Sequence, residues 1–126
     1  MSVRQWGPPV FWAAFILLLT SIPGSDLPHV GFMSFHASDK LVHCTMYGIF
    51  AWLATRSLVR AGRPVIQSVV LVMLGIALFG ALDEWHQQFI PGRSMDVFDW
   101  LADLSGATIG TLVAAVAPRV RERGEA

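Results

Sequence analysis

Five of the nine carboxylates in the chain fall between Asp83 and Gly110: Asp83, Glu84, Asp96, Asp99 and Asp103. His86, Gln87, Gln88 and Arg93 stand among them. Asp39, Lys40 and His43 open an earlier apolar run. On a helix, Asp96, Asp99, Asp103, Gly106 and Gly110 form one stripe, acidic at its start and glycine further on. Ionisable side chains inside apolar helices are expensive, and they mark sites by default. Asp103 stands roughly 9 Å along such a helix and must be paired, protonated or bound to something.

Charge balance defines what that something is. Asp39, Asp83, Glu84, Asp96, Asp99 and Asp103 face only two permanent cations, Lys40 and Arg93. Under one reading the polar groups only lock the fold. Lys40 pairs one acid, Arg93 grips another in bidentate fashion, and His43 takes a third. Asp39 and Asp96 then serve as solvated helix caps. Under the other, the surplus calls for protons, a cationic ligand or a divalent metal. Asp99 and Asp103 at i, i+4 could share a hard cation such as Mg²⁺ with Glu84. Lipid-phosphate enzymes that depend on metal use intramembrane aspartates of this kind. A zinc site is not expected, because His43 and Cys44 are adjacent, point apart and belong to no His/Cys cluster. Neither a Ser-His-Asp arrangement nor a nucleotide fingerprint is visible. The expected polar site is Lys40, His43, Glu84, Gln87, Arg93, Asp99 and Asp103, with Asp39, Asp83 and Asp96 around it.

Composition places this site in a membrane. Of 126 residues, 54% are hydrophobic and 14% charged, too few charges to cover a soluble domain of this size. The net charge of zero gives no electrostatic case for nucleic acid. The single cysteine, Cys44, has no internal disulfide partner. One all-α domain over residues 1–126 is expected, an integral membrane bundle of four helices.

The first run spans Pro8 to Ile22, with the proline pair at its start and Pro23-Gly24 at its stop. Its short length and Arg4 also suit a signal peptide, but no small-x-small cleavage pattern follows, so it is taken as a retained span. Trp6 and Trp12 suit an interface. A loop from Ser25 to Ser38 carries His29, His36 and the apolar piece Val30 to Met33. The second run starts at Asp39, a candidate N-cap, and ends at Leu58. The third runs from Pro64 to about Gln88, and Pro91-Gly92 then makes a turn. The fourth runs from Met95 to Ala117. Its Gly106-x-x-x-Gly110 pattern admits a close neighbour, read as internal packing rather than dimerisation.

Basic residues set the orientation. Arg4, then Arg56, Arg60 and Arg63, then Arg119, Arg121 and Arg123 flank alternate ends of the four runs. The positive-inside rule puts those ends and both termini in the cytoplasm. Lys40, Arg93, all the aspartates and all the histidines then face outward.

The residues that carry these features also resemble the VanZ-like membrane proteins. The resemblance rests on Ser21-Ile22-Pro23-Gly24, Asp39-Lys40-x-x-His43 with Tyr47 and Gly48, Asp83-Glu84-x-x-Gln87, Pro91-Gly92-Arg93, Asp99, and Asp103-x-x-Gly106-x-x-x-Gly110. Where the family pattern commonly has Asn, this chain has Asp103, which adds a charge. The resemblance implies a multi-pass protein of the bacterial cytoplasmic membrane; joined to the outward-facing site read from charge, the expected function is to bind or shield a lipid-linked or glycan envelope ligand. It also implies a link to teicoplanin resistance, with which the founding member is associated. A metal-dependent enzyme acting on a lipid-phosphate headgroup and a purely structural assembly protein are the alternatives.

Overall fold

The computed structural model describes residues 3–26 and 35–117. These residues form four α-helices and no strand: α1 (Val3–Thr20), α2 (Phe35–Arg60), α3 (Val65–Gln87) and α4 (Val97–Val116), with a 3₁₀ turn at Gly24–Asp26. His29, Val30 to Met33 and the basic tail from Arg119 lie outside the described residues.

Two helix starts differ from expectation. α1 begins at Val3, so Pro8 and Pro9 lie inside it. Pro9 has no N–H to offer the Gln5 carbonyl. Ser57 of α2 fills the gap, its hydroxyl donating to that carbonyl at 2.6 Å. A missing bond within α1 thus becomes a bond between helices, and the extra residues lengthen α1 to about 27 Å. α2 begins at Phe35, so Asp39 is a helix-interior residue and not an N-cap. The remaining boundaries agree with the sequence. Pro64 immediately precedes α3. Asp96 caps α4, its Oδ1 accepting from the Phe98 amide at 2.8 Å.

The connections are tight. After α2, Gly62 takes a positive φ of 87°. The Arg63 amide donates to Leu58 and the Gly62 amide to Val59, the paired bonds of a Schellman ending. Between α3 and α4, the Arg93 amide closes a turn onto the Ile90 carbonyl at 3.1 Å, with Gly92 at φ 73°, the type II pattern.

α4 packs most extensively on α2 and next on α3. At the α2–α4 crossing, backbone meets backbone. A Cβ on Gly106 would collide with the Cys44 carbonyl, and one on Gly110 with the Gly48 carbonyl. The glycine stripe is therefore spent on packing inside the bundle. A second glycine contact joins the α1 exit to the α3–α4 turn: the Gly24 amide donates to Pro91 at 2.9 Å, and a Cβ on Gly24 would collide with the Gly92 carbonyl.

Polarity is inverted relative to a water-soluble domain. Among the described residues, twelve polar or charged residues are buried against nine hydrophobic ones. Ile66, Phe11 and Leu74 are exposed at 79%, 71% and 65%. α3 and α4 are each long and apolar enough to cross a membrane. The small apolar core centres on Ile16, Tyr47, Ala51, Ile76 and Ala107, with Phe50 edge-on to Phe79 beside Tyr47. Trp12 of α1 donates to the Met46 carbonyl at 2.8 Å, and Trp100 of α4 donates to Ala77 of α3 at 2.9 Å.

Glycine substitutions separate the two kinds of glycine. Gly106→Ala must push α2 away and should cost about 1–3 kcal/mol, and Gly110→Leu should cost more. Gly75 faces open space, with nothing within 4 Å of an added Cβ. Gly75→Ala should raise stability by about 0.5–1 kcal/mol. Thermal unfolding in detergent reads both, and equal midpoints for the Gly106 and Gly75 variants would contradict the crossing.

Candidate functional site

The start of α4, the end of α3 and the first turns of α2 meet at one end of the bundle. Asp96 ties them together. Its amide donates to Glu84 Oε2 of α3 at 3.0 Å, and its Oδ2 accepts from Lys40 of α2 at 3.1 Å. Lys40 also donates to Asp99 Oδ1 at 2.8 Å. This ammonium spans one turn of α4, holding both acids in place.

Deeper in the bundle, His43 Nδ1 lies 2.9 Å from Asp103 Oδ1. An ionised carboxylate only accepts, so the ring donates from Nδ1. The same nitrogen is 3.9 Å from Glu84 Oε1, and Nε2 is 4.0 Å from Asp99 Oδ2. Both sides of the imidazole therefore face acids. Asp103 Oδ2 is buried with no hydrogen-bond partner among the described residues. It faces Gly80 of α3, where a Cβ would come within 3.1 Å of it.

Arg93 does not have the expected role. Its guanidinium holds no carboxylate among the described residues: Nε donates to Ile22 at 2.9 Å, one terminal nitrogen to Leu19 at 3.2 Å, and the other to Gln87 Oε1 at 3.2 Å. It stands at the C-terminus of α1, where carbonyls lack intrahelical donors and the helix dipole favours a cation. Gln87 passes the connection on, donating to Glu84 Oε1 at 3.1 Å. The permanent counter-ion of the acids is Lys40.

Asp83 forms a separate polar pair of contacts. Thr20 of α1 donates to its Oδ1 at 2.7 Å and Tyr47 of α2 to its Oδ2 at 3.1 Å. Nothing in the sequence marks Thr20, which also bonds the Ile16 carbonyl at 3.0 Å as any helical threonine can.

Glu84, Asp99 and Asp103 do not converge as one set of metal ligands. Ligand atoms lying within 4.8 Å of one another come instead from Asp39, His43 and Asp99, and from His43, Glu84 and Asp103. His43 belongs to both groups, so the acids are arranged around an imidazole. The arrangement can hold a cation, retain protons or bind a positively charged ligand group. It lacks a permanent charge for each acid once Arg93 is spent on α1.

Removing Lys40 tests that balance. Lys40→Met should leave the buried Asp99 without its charged donor. The cost should be about 1–3 kcal/mol, below that of a fully buried pair because the Lys40 side chain is 33% exposed. Combining it with Asp99→Asn should recover most of the loss. An Arg93→Met variant should destabilise through α1, and Asp99→Asn should not rescue it. Rescue of Arg93→Met by Asp99→Asn in the same thermal assay would show that Arg93 serves Asp99 rather than α1.

No curated protein and no solved structure matches the chain. The profile of the VanZ/LLP1 family matches residues 7–118, from the second turn of α1 to just past the end of α4. The chain belongs to the VanZ/LLP1 family.

Proposed function

We propose that this VanZ-like chain crosses the bacterial cytoplasmic membrane four times, with both termini in the cytoplasm. Its polar end faces outward and binds a lipid-linked or glycan ligand of the cell envelope. The observation that carries this reading is the inverted polarity, with Asp83, Glu84, Asp99, Asp103 and His43 inside and large apolar side chains outside. Such an exterior matches lipid and is far too apolar for a solvated monomer of this size. Exposed hydroxyls support the same surroundings. Thr45, Ser105 and Thr108 each donate to the carbonyl four residues earlier, at 2.8 Å, which leaves them self-satisfied without water. Arg56, Arg60 and Arg63 lie at the end opposite the acids, as the positive-inside rule requires of a cytoplasmic face.

The polar end combines half-exposed Lys40 with surplus carboxylates, so it offers both a cation for an anionic headgroup and acids for an amine. Teicoplanin acts at that face of the membrane, and the family link to it makes the envelope the natural source of the ligand.

Two measurements test the proposal. In a Cys44→Ala background, a cysteine at position 29 should react with an impermeant maleimide in intact cells, and one at position 60 only after lysis. Labelling of position 60 from outside would overturn the topology. The full chain purified in mild detergent should retain an envelope lipid or glycolipid detectable by mass spectrometry, and Lys40→Met with Asp99→Asn should lose it. Identical bound lipid in that variant, or bulk phospholipid alone in both, would overturn the ligand reading. Expression of the chain should also raise the inhibitory concentration of teicoplanin at least about twofold if resistance extends to this member.

A further inference from the structure

We propose that Asp39, His43 and Asp99 bind a first-row divalent metal ion through His43 Nε2, with Asp103 as the residue that positions the imidazole. The proposal deepens the envelope-ligand reading, and its test uses metal alone, so either can fail without the other.

Hydrogen bonding divides the acids into those already used and those still available. Glu84 spends one oxygen on Gln87 and the other on the Asp96 amide. Asp103 spends Oδ1 on His43 Nδ1. Asp103 Oδ2 remains but lies against Gly80, whereas Asp39 and Asp99 each keep an oxygen near His43. Asp99 gives Oδ1 to Lys40, while its Oδ2 looks at His43 Nε2 across 4.0 Å. That separation is too long for a hydrogen bond and suits two ligands on either side of a cation, each about 2.0–2.2 Å from it. Asp39, half-buried and without a hydrogen bond among the described residues, stands one helical turn before His43 and completes the group within 4.8 Å. Two ligands at i, i+4 on one helix face are a recurrent way to grip a metal.

His43 supplies the independent observation. Its side chain is 2% exposed and is held at Nδ1, and no hydrogen bond reaches Nε2 among the described residues, which leaves that nitrogen 4.0 Å from Asp99 Oδ2. With Nδ1 held by Asp103, Nε2 is the ring nitrogen left to ligate, and it faces the Asp99 oxygen that Lys40 does not hold. This carboxylate–histidine arrangement behind a ligating nitrogen is the usual outer support of a protein metal site. One imidazole with two carboxylates is a harder donor set than the Cys-containing sites expected for structural zinc, and it suits ions such as Mn²⁺. Three protein ligands leave further positions to water or to an oxygen of the envelope ligand. Neither Glu84 nor Arg93 is needed as a ligand, which distinguishes this site from the Glu84–Asp99–Asp103 set expected from spacing.

The test is titration of the full chain, in detergent and stripped with a chelator, with Mn²⁺ alone. Loss of the free-ion electron paramagnetic resonance signal reports binding. A single saturable Mn²⁺ per chain is expected, with ¹⁴N hyperfine coupling that disappears in His43→Gln. Asp39→Asn and Asp99→Asn should each weaken binding at least about tenfold, and Asp103→Leu roughly 10–100-fold. Asp103→Asn, which keeps an acceptor for Nδ1–H, should restore most of the affinity. The exposed acid Asp26 serves as the control, and Asp26→Asn should bind as the parent does. Asp39 is half-buried and unbonded, so its variant stays folded even where Asp99→Asn does not. Absence of saturable binding, unchanged affinity in Asp39→Asn, or bound Mn²⁺ without nitrogen coupling would each overturn the proposal.

Discussion

The approach of α2 and α4 to backbone contact is the constraint on which the rest of the bundle depends. Gly106 against Cys44 and Gly110 against Gly48 leave no room for side chains between the two helices. One turn further along, the same proximity delivers His43 to Asp103, and another turn delivers Lys40 to Asp99. Short polar side chains such as aspartate reach across only because the axes are already close. Small residues at a helix crossing thus do more than pack. They set the reach at which a carboxylate and an imidazole can be joined without water.

Arginines serve the backbone at both ends of the bundle. Arg93 donates to the terminal carbonyls of α1, and Arg56 donates to Ala117 at the end of α4 at 3.2 Å. Each comes from a different element than the helix it caps. A helix end shielded from water and without donors is costly, so a guanidinium that can serve several carbonyls at once is well used there. The acids are then left to Lys40 and His43, a weaker and more adjustable pair of counter-charges.

Much of this was readable from residue order. The proline before α3, the Asp96 cap and the Gly106/Gly110 stripe are local signals, and each lies where its physics requires. The cluster of Lys40, His43, Glu84, Gln87, Asp99 and Asp103 followed from antiparallel helices of matched length. Pairings within it did not follow. Arg93 and Lys40 carry the same charge, and only the docking of the α3–α4 turn on Gly24 decides which of them reaches α1. α1 starts earlier than the sequence predicts because Pro9 normally argues against a helix interior. Its cost is met by Ser57, more than fifty residues away in the chain, and no local pattern can report such a partner. Thr20 likewise has its partner Asp83 far along the chain and gives no local signal.

α4 and its cap residue carry partners of Lys40, His43 and Glu84, and ribosomes make them after α2 and α3, which hold those three residues. In the proposed membrane setting, α2 and α3 would then reach the bilayer with an ammonium and an imidazole whose acids are still unmade. Docking of α4 along its glycines would pair them. A chain halted before that moment would show unmatched polar groups to lipid, so the order of synthesis makes α4 the helix on which burial of this end waits.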